Sequence, residues 1–199
     1  MALVWSPLLQ KPARVYTELY HISDLLPTFI NLAGGSIDSS SSSLDGIDIW
    51  KSISEDLPSP RKELLIQADT TGGEYALRWH QYKLLLGLFV GKNGQSVQDW
   101  YEPPGGIDPA LIEGTPGALR CDDVGKNTPC HPNVGPCLFD VISDPCERNN
   151  IASDQPEIVK VLIEKLRAYN STAVPSMFLP TDPRAHPKLH DGLLASWEE

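Results

Sequence analysis

No apolar run in this 199-residue chain approaches the ~20 residues a helix needs to cross a bilayer; the most apolar stretch, Leu84-Leu85-Leu86-Gly87-Leu88-Phe89-Val90, is far shorter. No membrane span is therefore expected. Basic residues are also scarce: 16 Lys and Arg face 26 Asp and Glu, for a net charge of −10. That balance repels a phosphate backbone, so nucleic acid is not an expected partner. The acidic residues are scattered, as on a solvated surface. The opening Met1-Ala2-Leu3-Val4-Trp5-Ser6-Pro7 has no basic residue, and Pro7 comes before an apolar core can form, so it is a poor secretory signal. There is no internal repeat and no regular Cys-x2-Cys spacing.

The four cysteines, Cys121, Cys130, Cys137 and Cys146, fall close together and are even in number. They point to disulfides in an oxidising compartment and allow three pairings. The preferred one joins sequence neighbours, Cys121 with Cys130 and Cys137 with Cys146, each bond closing a loop where there is little core. A zinc site using cysteines and His131 is the alternative. Oxidised cysteines without a secretory leader lead to the expectation that the natural N-terminus lies upstream of Met1. Asn170-Ser171-Thr172 is the one N-x-S/T sequon and makes Asn170 a glycosylation candidate.

Hydrophobic spacing supplies the elements. Ser23 or Asp24 is expected to cap a helix that carries Leu25, Leu26, Phe29, Ile30 and Ala33 and stops at Gly34-Gly35. The serine-rich run 36–43 reads as a surface loop, and a short helix after it should bury Ile47 and Trp50. Glu63 to Gln67 reads as a strand. Tyr75 to Trp79 and Tyr82 to Leu86 read as a hairpin turning at His80-Gln81, although that pair lacks Asn-Gly chemistry. Residues 91–135, rich in glycine and proline, form a long irregular excursion. Leu138 to Val141 is a brief strand. Asp154 and Glu157 then resemble a capping box for a helix through Tyr169, with Ile158, Leu162, Leu166 and Tyr169 on its inner face. The proline-rich tail from Val174 is expected to run extended.

Few residues invite a chemical reading. Asp140, Asp144 and Glu147 could gather round a metal, but Asp-Pro commonly opens turns. Arg78, His80 and Lys83 could face a sulfate; on a hairpin such residues more commonly serve solubility and cross-strand pairing. His21, His186 and His190 read as local hydrogen-bonding groups. No Ser-His-Asp triad can be inferred from spacing alone.

Several segments nonetheless share one resemblance: Trp5-Ser6-Pro7, Tyr20-His21-Ile22-Ser23-Asp24-Leu25-Leu26-Pro27-Thr28, Leu44 to Ser54, Ser59-Pro60-Arg61, the Ala76–Leu85 hairpin, Leu138 to Ala152, Val174-Pro175 and Asp182-Pro183-Arg184. In this order they resemble the C-terminal part of the arylsulfatase B-like sulfatases. The resemblance implies an α+β fold: residues 1–70 as the end of the large sulfatase α/β domain, and residues 71–199 as a small antiparallel-sheet subdomain packed on a helix, with an extended tail. It implies a parent protein, lysosomal or secreted, that hydrolyses sulfate esters, with sulfated glycans as substrates.

In that family the nucleophile is a formylglycine made from cysteine in a Cys-x-Pro-x-Arg setting, and calcium is held by Asp and Asn side chains; the pair supplies covalent catalysis and Lewis-acid assistance. Cys130-His131-Pro132-Asn133-Val134 has Val134 where the arginine belongs. The metal ligands and active-site lysines and histidines would all precede Trp5. By resemblance, then, this chain carries no catalytic or metal residue, binds no cofactor itself, and has as its partner the catalytic N-terminal domain of the same protein. The family also places a cysteine after Asp-Pro-Arg, where this chain has Ala185. The competing expectation is a stand-alone secreted or luminal binding module without chemistry.

Overall fold

A computed structural model describes residues 3–37, 44–70, 72–87, 121, 128, 130–174 and 182–193. Serines 38–43, most of the 91–135 excursion and tail residues 175–181 lie outside the described residues.

The centre is a four-stranded antiparallel sheet in the order β1-β2-β3-β4, formed by β1 (Glu63–Asp69), β2 (Glu74–Trp79), β3 (Tyr82–Leu86) and β4 (Cys137–Asp140). Its register aligns Leu65, Leu77, Leu84 and Leu138 in one row across all four strands. Side chains alternate faces along a strand, so this row turns one face of the sheet apolar. Leu64, Arg78, Lys83 and Phe139 form an adjacent row on the other face. The β2–β3 hairpin turns at His80-Gln81 as expected. His80 takes φ +52°, the left-handed conformation that asparagine or glycine more often supplies. Arg78 Nε donates to the His80 carbonyl at 3.1 Å across the bend.

Helix α3 (Pro156–Ser171) covers the leucine row. Val159, Leu162 and Leu166 form its buried stripe and join Leu77, Leu84 and Leu138 in one core, with Ile158 and Tyr169 packed at the margin. The expected Asp154 cap is not used. Asp154 and Gln155 both donate their backbone N–H to the Ile151 carbonyl, at 3.1 and 3.0 Å, and this turn leaves Gln155 at the cap with Pro156 opening the helix. Proline suits that position because its missing N–H has no intrahelical acceptor there.

Before the sheet, a 3₁₀ turn at Ile22–Asp24 runs into helix α1 (Leu25–Leu32), and α2 spans Trp50–Glu55. Asp24 holds the N-cap position of α1, as expected, without a side-chain capping bond to it; the capping hydrogen bonds belong to the 3₁₀ turn, where the His21 ring accepts from the Ser23 N–H while Asp24 Oδ2 accepts the His21 N–H at 2.8 Å. Around α2, Ile49 and Ile53 are the buried pair, whereas Ile47 is exposed and Trp50 half-buried. Asp48 Oδ1 accepts the Trp50 N–H at 2.9 Å, which starts the helix at Trp50 and turns Ile49 and Ile53, four apart, inward. Gly46 crosses the start of α1 so closely that a Cβ there would strike the Ser23 carbonyl oxygen. In the tail, residues 182–193 are not extended: Asp182 caps a 3₁₀ turn at Pro183–Ala185, and a second follows at Pro187–Leu189.

Candidate functional site

The densest polar constellation joins α1 to the start of β1. Asp24 is fully buried, and its carboxylate accepts from the His21 N–H at 2.8 Å, the Ile47 N–H at 2.8 Å, and the Nε (2.7 Å) and Nη2 of Arg61. Arg61 reaches further, to the Asp45 carbonyl at 2.7 Å and the Glu63 carbonyl at 3.3 Å. Burial pushes the Asp24 carboxyl up, but the Arg61 hydrogen bonds, the two backbone donors and the guanidinium charge outweigh it, so its pKa lies below the ordinary value. Arg61 is held above its own ordinary value by the same bonds. A carboxylate filled by four donors has no basicity left to offer a substrate. The pair is a clamp, and the sequence reading missed it although both residues lie in motifs it singled out, because an aspartate and an arginine so far apart in sequence give no periodic signal.

At the first residue of β1, Glu63 binds Lys165 Nζ and accepts the Tyr169 hydroxyl at 2.9 Å, tying the sheet edge to α3. Burial, and then the hydrogen bond to the Glu63 carboxylate, push the Tyr169 phenol up to about 12. Lys165 also sits 5.8 Å from the Trp79 ring centre.

The residues considered for chemistry are otherwise engaged. Asp140 Oδ1 accepts the Ile142 and Ser143 N–H groups at 3.0 and 3.3 Å, and Asp144 Oδ2 accepts the Asn149 N–H at 2.7 Å. Glu147 binds Lys83 Nζ through both oxygens at 2.7 Å. These three carboxylates close turns and pair a lysine, so they do not fit a calcium site. Among the described residues no three His, Cys, Asp or Glu side chains converge as a metal set. Lys83 is thereby separated in role from Arg78, which braces the hairpin turn. His186 Nδ1 accepts the Lys188 N–H at 3.2 Å, and His190 Nε2 lies 2.7 Å from the Arg184 carbonyl. Asn170 is exposed at the end of α3, with its amide oxygen 3.4 Å from the Tyr75 hydroxyl.

The disulfides connect Cys121 with Cys146 and Cys130 with Cys137, with Cα separations of 5.6 and 5.7 Å. This nested pairing replaces the neighbour pairing preferred from the sequence. Two backbone features produce it. Val134 N–H bonds the His131 carbonyl and Gly87 N–H bonds the Pro132 carbonyl, so residues 130–137 double back against β3. A parallel bridge between Thr128 and Asn149 then holds Thr128 beside the segment that follows Cys146. Cys130, the cysteine of the partial nucleophile motif, is thus held in a disulfide at the start of β4.

No family model matches the chain. It is 34% identical over 215 aligned positions to mouse (Mus musculus) arylsulfatase J, an alignment that takes in 99% of this chain and 33% of the relative. Among solved structures, one described with the metabolism of multiple glycosaminoglycans by Bacteroides thetaiotaomicron is similar over 74% of this chain and 24% of its own, at a TM-score of 0.45 and 15% identity. A second, solved in complex with its substrate D-glucosamine-2-N,6-O-disulfate, is similar over 75% of this chain and 24% of its own, at a TM-score of 0.38 and 19% identity. The chain is thus similar to an arylsulfatase of the sulfatase family along nearly its whole length, and it spans about a third of the length of the curated relative it matches.

Proposed function

We propose that this chain forms the C-terminal region of a longer arylsulfatase, with residues 1–70 completing the large α/β domain and residues 71–199 forming the sheet-and-helix subdomain beside it. The longer protein hydrolyses sulfate esters, with sulfated glycans as the substrate class, in the lysosome or outside the cell. The observation that carries this reading is similarity to an arylsulfatase along 99% of the chain. The formylglycine nucleophile and calcium belong to the part of the protein outside this chain. Two observations support that division: Val134 replaces the arginine of the nucleophile motif, and Cys130 is bonded to Cys137. The contribution of the 199 residues is support for the catalytic part and shaping of its cleft. In the secretory route, Asn170 carries the glycan.

The test is sulfate release from an aryl sulfate ester, measured with calcium for the isolated chain and for a joined protein in which the whole chain replaces the matching third of mouse arylsulfatase J. The isolated chain is expected to release none and the joined protein to be active. Turnover by the isolated chain would overturn the reading; an inactive but folded joined protein would favour a stand-alone binding module.

A further inference from the structure

Helix α1 is amphipathic the wrong way round for a helix that packs only on its own chain. Asp24, at the end of the 3₁₀ turn that leads into the helix, and Thr28, four residues on, lie on the inward side. Asp24 is locked to Arg61, and Thr28 Oγ1 accepts the Ile49 N–H at 3.1 Å while donating to the Asp24 carbonyl at 2.6 Å. On the opposite side Leu26 and Phe29 of the helix and Ile22 of the 3₁₀ turn before it are 54%, 60% and 70% exposed. Trp5, 84% exposed, stands with Ile22 and Phe29 around an open hollow of about 540 Å³ that reaches down to Trp50 and Ile53. The helix cannot roll to cover its apolar stripe, because that would strip four donors from a buried carboxylate. Contiguous apolar surface of this kind marks a contact with another polypeptide.

We infer that the Trp5–Ile22–Phe29 face is the docking surface for the portion of an arylsulfatase that lies outside the third matched by this chain. The inference rests on the reading given above that the chain is part of such a protein. Its occupant follows from length: a relative similar along 99% of this chain carries twice as much polypeptide besides, and the polar side of α1 is already satisfied internally. The occupant's contacting surface is apolar, since the hollow presents indole, phenyl and aliphatic carbon with few polar groups to pair.

Hydroxyl-radical footprinting read by mass spectrometry, on the isolated chain and on the joined protein, tests this. Trp5, Leu26 and Phe29 are expected to label several-fold more slowly in the joined protein, whereas Ile142, exposed elsewhere, labels equally in both. Equal labelling of the α1 face in the two proteins overturns the inference. So does protection in the isolated chain that grows with its concentration, which would make a second copy the occupant. Sulfate release is read on the same sample: protection without turnover leaves the docking face standing while the functional reading fails, and turnover with an unprotected face does the reverse. A second variant does not depend on the joined protein folding. The triple change Ile22→Glu, Leu26→Glu and Phe29→Glu is expected to leave the Tm of the isolated chain unchanged and raise its soluble yield; unfolding of the isolated chain by it would show that the face is used internally and overturn the inference.

Discussion

At the scale of single residues, stability is concentrated where charge is buried. Breaking a desolvated ion pair from one side strands the other charge, so Arg61→Met is expected to cost about 3–5 kcal/mol in urea unfolding; the Asp24 side chain is fully buried and that of Arg61 only 10% exposed. The pH dependence follows from direction. Asp24 and Glu63 both have carboxyl pKa values lowered in the fold. Their stabilisation is full above the unfolded value of about 4 and is lost as pH falls through the lower folded values. Unfolding free energy is therefore expected to hold from neutrality to mildly acid pH and drop in strong acid. Asp24→Asn should lower stability at neutral pH and flatten that acid drop, measured by urea midpoints across the range. Gly87 is a backbone case: it sits at φ +98°, and a Cβ there would strike the Gly73 carbonyl oxygen. Gly87→Ala is expected to cost about 1–3 kcal/mol by the same measurement.

At the scale of elements, the sheet and α3 carry the core and were largely legible. Period-two alternation in Tyr75 to Trp79 and Tyr82 to Leu86 fixes which side chains share a face, and one leucine row follows from the register. Leu162, fully buried at the centre of that contact, should cost about 2–5 kcal/mol as Leu162→Ala. Asp154→Ala should stay within about 0.5 kcal/mol, because Asp154 does not cap the helix; a loss near the ~1 kcal/mol of a true cap would contradict the structure. The N-terminal elements were harder to read. Spacing located the apolar stripe of α1 but not the side it faces, since a stripe looks the same whether it meets its own core or another polypeptide. The disulfides were misassigned for a related reason: proximity in sequence favours neighbours, whereas the Thr128–Asn149 bridge and the fold-back of residues 130–137 decide proximity in space. Non-reducing peptide mapping is expected to recover Cys121–Cys146 and Cys130–Cys137, and a Cys121–Cys130 peptide would refute that arrangement.

At the scale of the whole molecule, one polypeptide combines a well-packed sheet and helix with an N-terminal third whose apolar side lies open. Asp24, Asp140, Asp144, Glu147, Glu63, Lys83 and Lys165 are engaged in structure, and among the described residues no three His, Cys, Asp or Glu side chains converge as a metal set. The open apolar side fits a part of a larger protein. The resemblance to sulfatases was legible because collinear segments run through nearly the whole chain, but the buried Asp24–Arg61 clamp was not, because a single aspartate and arginine 37 residues apart give no periodic signal. The most direct measurement is the intact mass and N-terminal sequence of the native protein that carries the Leu138–Ala152 segment, purified from its own tissue. The account predicts a polypeptide much larger than 21.9 kDa with a Cys-x-Pro-x-Arg segment upstream of Trp5. A native protein of 21.9 kDa beginning at Met1 would contradict it and leave a binding module in place of a hydrolase.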